Sequence, residues 1–205
     1  VGDFIYRVTA IDSITSGRTK LIGVVAAKKS KLTKVTVPNT ANFKGYGLNV
    51  TEVGDNAFKA MKKLKKVTFS ANVKVIGKAA FNNCKKLNKI NFKNVTTIGN
   101  NAFAGCKALK KLTIGSKITT IGKNAFKKCT KLKAVVIGKS VKTIKAKAFT
   151  KDNKIKKITF KGKKLKTVKK NALSSKVKKN IKAKKTKLKG NKKAIKVFKK
   201  KLKIR

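Results

Sequence analysis

The 205-residue sequence predicts an α/β repeat protein, a right-handed solenoid with a parallel β-sheet on one face and short helical turns opposite. Three observations predict it. An aromatic residue returns at a nearly constant interval, an alternating apolar segment follows each aromatic at a fixed distance, and the 40% hydrophobic content is enough for a continuous core despite 31% charged residues.

The aromatic interval comes from one pattern with little drift. Its copies are Val53-Gly54-Asp55-Asn56-Ala57-Phe58, Ile76-Gly77-Lys78-Ala79-Ala80-Phe81, Ile98-Gly99-Asn100-Asn101-Ala102-Phe103, Ile121-Gly122-Lys123-Asn124-Ala125-Phe126 and Ile144-Lys145-Ala146-Lys147-Ala148-Phe149. A weaker sixth copy is Val168-Lys169-Lys170-Asn171-Ala172-Leu173. The column Phe58, Phe81, Phe103, Phe126, Phe149, Leu173 steps by 23, 22, 23, 23 and 24 residues, inside the range of roughly 20 to 29 that marks a leucine-rich-repeat solenoid.

The second element has the form L-x-x-L-x-L: Leu64/Val67/Phe69, Leu87/Ile90/Phe92, Leu109/Leu112/Ile114, Leu132/Val135/Ile137 and Ile155/Ile158/Phe160. Alternation across its last part is a strand with one buried face. An earlier copy, Leu32/Val35/Val37, lies 32 residues before Leu64, so that coil carries an insertion containing Phe43-Lys44-Gly45-Tyr46-Gly47. One such coil cannot bury its apolar face alone; stacked coils merge their Ile, Phe and Leu columns into one core. The Ala-Phe-x-x-Cys segment reads as the helical turn, with Asn56, Asn101 and Asn124 as N-caps. Three regions follow: an N-terminal cap over 1–31, the repeat array over 32–175, and a lysine-rich C-terminal cap or tail over 176–205. In the last, Ile195, Phe198 and Leu202 fall at helical spacing. In the first, Phe4-Ile5-Tyr6-Arg7-Val8 and Leu21-Ile22-Gly23-Val24-Val25 read as a strand pair.

The composite of L-x-x-L-x-L, an apolar pair and I-G-x-x-A-F-x-x-C-x-x-L resembles the BspA-like, or Treponema-type, leucine-rich repeat of bacterial surface proteins, over about residues 30 to 175. The resemblance implies a secreted or surface-attached protein, in a family where some members are adhesins. That family usually places Pro after the strand. Here only Pro38 does so, with Ser70, Lys93, Gly115, Gly138 and Lys161 in later copies, a change that touches loop stiffness and not the fold.

Charge and chemistry narrow the function. With 58 basic and five acidic residues the formal net charge is +53, graded from +6 over residues 1–50 through +22 over 51–150 to +25 over 151–205. Only Arg7, Arg18 and Arg205 are arginines, so the field is almost wholly lysine. It attracts polyanions while offering little bidentate selectivity. The chain has no His, and beyond residue 55 its only acid is Asp152. General acid–base catalysis, paired-carboxylate hydrolysis and hard-cation binding therefore lack their residues, and neither enzyme activity, a cofactor nor a metal is expected. Cys84, Cys106 and Cys129 each follow a repeat Phe by three residues, in a column with Met61 and Asp152. They read as small buried hydrophobes, against a redox or nucleophilic reading that nearby lysines would favour. Asn49-Val50-Thr51 and Asn94-Val95-Thr96 match the glycosylation tripeptide, a match frequent by chance. No apolar run reaches the roughly 20 residues of a membrane span. A chain opening Val1-Gly2-Asp3 reads as a mature protein or a trimmed piece of a longer precursor.

The exposed strand positions define a candidate binding face: Lys66, Lys89, Lys111, Ala134 and Lys157, beside Thr68, Asn91, Thr113, Val136 and Thr159. Ala134 with Val136 makes an apolar notch in the basic row. The expected function is a non-catalytic, extracellular or cell-surface interaction module for anionic polymers (cell-wall polymer, acidic glycan or nucleic acid) or a surface protein. A non-specific nucleic-acid binder and a ligand-free spacer of a larger surface protein are the other readings. The sequence lacks any helix-turn-helix, finger or stacking platform.

Overall fold

Alternating apolar residues make strands, and each regular coil of this chain adds to its alternating strand a second, shorter one. The computed structural model describes residues 4–10, 18–24, 31–92 and 94–204. Strands β1 (Phe4–Ala10) and β2 (Arg18–Val24) pair antiparallel. β3 (Lys34–Val37) opens the regular coils. The inserted segment folds back as a hairpin of β4 (Thr40–Phe43) and β5 (Tyr46–Val53), and β2 lies parallel to β5. The hairpin turn, Lys44 and Gly45, has φ of 49° and 84°, the left-handed pair that suits the twist of a two-residue connection.

The L-x-x-L-x-L segments form the outer strands β6 (Lys66–Phe69), β8 (Lys89–Asn91), β10 (Lys111–Thr113), β12 (Ala134–Ile137) and β14 (Lys157–Phe160). Between them lie two-residue inner strands: β7 (Val75–Ile76), β9 (Thr97–Ile98), β11 (Thr120–Ile121), β13 (Thr143–Ile144) and β15 (Thr167–Val168). The inner strands stack in parallel as β5-β7-β9-β11-β13-β15, a second sheet that the sequence pattern does not announce because two residues are too few to alternate. The outer strands form two sheets, β3-β6-β8 and one that starts β10-β12-β14. The division falls where the repeat is 22 residues long, between Phe81 and Phe103. The result is a solenoid of about five turns.

The segment around each Phe corrects one expectation. It is not an α-helical turn, and Asn56, Asn101 and Asn124 are not N-caps: their φ values are 58°, 57° and 56°, in the left-handed region. A second left-handed residue lies four positions on, as in Ala60, Asn83, Lys128 and Lys151, and in Gly105 with φ 78°. The reason lies in where the amides go. The N–H groups of Asn101, Phe103 and Gly105 donate to Lys123, Ala125 and Lys127 of the next coil, at 2.7 to 2.8 Å. The intervening N–H groups of Ala102, Ala104 and Cys106 donate three residues back, to Gly99, Asn101 and Phe103. Alternate donors thus serve the neighbouring coil, which an α-helix, pairing all its amides internally, cannot do. Asn tolerates the left-handed conformation better than most residues, which explains its recurrence before Ala-Phe.

At the C-terminal end, α1 (Ser175–Lys182) is capped by Ser174, whose Oγ accepts from the Val177 N–H. Strand β16 (Lys187–Gly190) then extends the outer sheet beside β14. The final helix α2 (Lys192–Leu202) lays Ala194, Phe198 and Leu202 on the core, and the Phe198 ring meets Phe160 edge-on at 5.0 Å.

Inside, the Phe column is a continuous stack. Successive centroids from Phe58 to Phe149 lie 5.0, 5.2, 5.4 and 5.6 Å apart, with planes within 7° of parallel. Phe69 of β6 and Phe92, the residue after β8, meet this stack edge-on at Phe81 and Phe103. Phe103 is fully buried, with a ring above, a ring below and one at its edge. Replacing it with Ala is expected to cost about 3 to 5 kcal/mol, read from denaturant unfolding; a loss below about 1 kcal/mol would place the core elsewhere.

Candidate binding face

The parallel register decides which side chains share the outer surface. Lys34, Lys66 and Lys89 are directly opposite one another on β3, β6 and β8; Lys111, Ala134, Lys157 and Lys187 are so on β10, β12, β14 and β16. The row two residues on is Thr36, Thr68 and Asn91, then Thr113, Val136, Thr159 and Lys189. The ten residues singled out from the sequence therefore form two rows, but not one uninterrupted face: the sheet division puts Lys66, Thr68, Lys89 and Asn91 on one ladder and the other six on another. Lys66, Lys89, Lys111 and Lys157 are exposed, whereas Ala134 and Val136 are half-buried, so the notch is shallow. Lys34, Lys187 and Lys189 extend the rows at both ends; the irregular final coil conceals the register of the last two in the sequence.

A corner of each coil carries further lysines that the sequence pattern does not single out. Before each outer strand the chain climbs out of the turn through a short segment with a buried Leu or Ile at its centre, as in Lys85-Lys86-Leu87-Asn88-Lys89. An open trough runs across four successive coils there, lined by Lys65, Lys85, Lys86, Asn88, Lys107 and Lys131. These lysines stand beside the strand rows, and no alternation rule marks them because they precede the strands.

The thiol column faces inward. Cys84, Cys106 and Cys129 are fully buried, and their Sγ atoms donate to the carbonyl oxygens of Phe58, Phe81 and Phe103 one coil back, at 3.0, 3.4 and 3.5 Å. Burial raises the pKa of Cys106 and Cys129, which disfavours the reactive thiolate. Among the described residues no group of His, Cys, Asp and Glu could hold a metal ion. The two glycosylation tripeptides are tied into the stack: the Asn72 amide donates to Asn49 Oδ1 at 2.8 Å, and the Asn94 amide donates to the Ala71 carbonyl at 3.0 Å.

Asp152 occupies the next place in the thiol column, fully buried, with no well-formed hydrogen bond to either carboxyl oxygen and the Cys129 backbone as the group that favours its charged form. Burial pushes its pKa up to about 8, so at neutral pH the carboxyl holds its proton.

Comparison with known proteins agrees with this geometry. The BspA-type leucine-rich-repeat region matches in six copies over residues 49–185. The chain belongs to the BspA-type leucine-rich-repeat family. Its fold is similar to that of the T. pallidum leucine-rich-repeat protein, with 25% identity and a TM-score of 0.66 over 84% of this chain and 80% of that one. It is also similar to the pneumococcal vaccine antigen PcpA, at 21% identity and TM-score 0.72 over 85% of this chain and 46% of that one. A leucine-rich cell-surface protein of Faecalibacterium prausnitzii matches at 24% and 0.63, over 84% and 50%. The chain thus spans about half the length of the last two. No curated protein matches it in sequence. BspA-type repeats generally build non-catalytic interaction modules. Among the described residues no helix is long and apolar enough to cross a membrane.

Two predictions follow from the charges. The folded pKa of Asp152 lies above that of an unfolded aspartate, so its contribution to stability is complete below about pH 4 and is lost as pH rises to about 8. Unfolding free energy should decline across pH 5 to 8 by up to about 1.4 kcal/mol per pH unit. Asp152→Asn should flatten that decline, a clean readout in a chain without His; an equal slope in both proteins contradicts the assignment. Secondly, lysines opposite one another on adjacent strands repel, and salt shortens the screening length from about 30 Å at 0.01 M to about 10 Å at 0.1 M. The melting temperature should rise over that range of chloride. A fall would show that repulsion between lysines does not limit the fold.

Proposed function

We propose that this BspA-type module is the non-catalytic binding part of a bacterial cell-surface or secreted protein, and that it takes an anionic polymer on its lysine-bearing outer face. The observation that carries the reading is the register. Exposed Lys66 and Lys89 are opposite one another, as are Lys157 and Lys187, and no acidic residue stands in either row. Like charges so placed are unfavourable to the fold, and an anion lying across them removes that cost. Ala134 and Val136, between Lys111 and Lys157, give the face its single apolar interruption, the place where a partner with an apolar group gains a contact beyond charge.

Lysine attracts any polyanion at low salt, so affinity for nucleic acid alone does not test the reading. Binding should be compared across duplex DNA, teichoic acid and a sulfated glycan at about 0.15 M salt, where exposed charges are screened beyond about 8 Å. A preference for the wall polymer or the glycan of tenfold or more is the expected result. Tightest binding to DNA supports a nucleic-acid role instead, and binding to none of them leaves a spacer repeat.

A further inference from the structure

The lysines are not spread evenly around the coil. The corner segments 62–66, 85–89, 107–111, 130–134 and 153–157 contain fifteen lysines and no acidic residue, and all fifteen are exposed. The segments at the far end of the same strands, 70–72, 93–94, 115–117, 138–140 and 161–164, contain six lysines, against fifteen in the corner of the same five coils. The dense strip therefore runs along the solenoid axis, from coil to coil, and not around a coil.

Its charge density has a recognisable scale. Coils in such a stack repeat at about 4.8 Å, so the five segments extend about 19 Å and carry roughly one positive charge per 1.3 Å. Duplex DNA carries about one negative charge per 1.7 Å. A row of this density accumulates anions and exchanges them for a polyanion with a large gain from released ions. The trough lined by Lys65, Lys85, Lys86, Asn88, Lys107 and Lys131 gives the ligand a track.

The residue types then select the ligand. The strip has no Arg and no aromatic residue, so it offers neither bidentate reading of base edges nor a platform on which bases or sugar rings stack. What it offers is point-charge donors, the manner in which lysine holds phosphate oxygens. The lysines are also staggered: Asn88, Ala108 and Asn153 each replace one member in their coils, Thr130 and Ala134 replace two in a fourth, and only the place of Thr130 and Asn153 recurs. A flexible chain can follow a staggered row; a rigid duplex meets only part of it.

We propose that a flexible linear phosphodiester polymer without bases lies along this corner, parallel to the solenoid axis. The proposal rests on the polyanion reading above and names the track and the chemistry of its ligand. The test uses poly(glycerol phosphate) of defined length, titrated against the protein over a chloride series. One variant replaces Lys85, Lys86, Lys107, Lys110 and Lys131 with Gln. The other replaces five exposed lysines off the strip, Lys59, Lys78, Lys123, Lys145 and Lys169, with Gln, and so carries the same net charge. Circular dichroism and melting confirm that both fold. The strip variant should lose at least tenfold in affinity at 0.1 M chloride, and its dependence of log K on log salt should flatten by about 3. The off-strip variant should change less than threefold. Equal losses in the two variants overturn the track while leaving the polyanion reading intact. Tighter binding of duplex DNA or heparin than of poly(glycerol phosphate) overturns the assigned chemistry. Absence of binding to every polymer overturns the polyanion reading and the track together.

Discussion

Everything in this molecule depends on the contact between one coil and the next. A coil of 22 or 23 residues has no interior of its own; Phe103 is buried because Phe81 and Phe126 lie on its two faces. The same contact satisfies the backbone. Outer strands, inner strands and the turn around each Phe all send amides across the gap, so three ladders hold successive coils together, except between β8 and β10, where the outer sheet divides. A column therefore tolerates only residues that suit its neighbours on both sides. Gly105 shows how tight this is: it is left-handed at φ 78°, and a Cβ there would collide with the Asn83 side chain of the coil below.

That dependence explains which parts of the fold were legible in the sequence. The Phe column and the outer strands repeat with residue types that have one physical meaning, a large buried ring and an alternating face. The inner strands were not legible, since Thr97-Ile98 or Thr120-Ile121 is too short to show a period. The turn is ambiguous in the sequence for a different reason. Asn just before Ala-Phe suits a helix N-cap and a left-handed residue equally well, and only the pairing of its N–H with the next coil separates the two. The binding face was partly legible: alternation picks out Lys66 and Lys89, but the lysines of the trough precede the strands and follow no period of two.

The lysine surface places electrostatics in opposition to this stacking. Adjacent coils are drawn together by rings and amides while their exposed lysines repel, and Glu52 and Asp55 stand on the side of the inner sheet, away from the corner strip. The backbone ladders fix the coil separation near the strand spacing, so the lysines cannot relieve their repulsion by spreading apart. They can bend outward on flexible stems, which lowers the repulsion but leaves the charges near one another. Such a surface is pre-organised for an extended anion in a way that an unfolded lysine-rich chain is not, because the fold holds the row at a fixed pitch.

Stability and binding are in this way two readings of one geometry. A polyanion stabilises the native protein only to the extent that it prefers the aligned row to the unfolded chain, which is equally cationic. The preference comes from alignment alone, since composition is the same in both states. Asp152 shows the converse inside the molecule. In a column where Cys129 donates a hydrogen bond inward, a carboxyl is tolerated while it carries a proton, and the lysines outside do not neutralise it because none of them bonds to its oxygens. The protein keeps its charges where water and counter-ions can reach them, and where a charge would fall inside the stack, burial removes it by holding the proton.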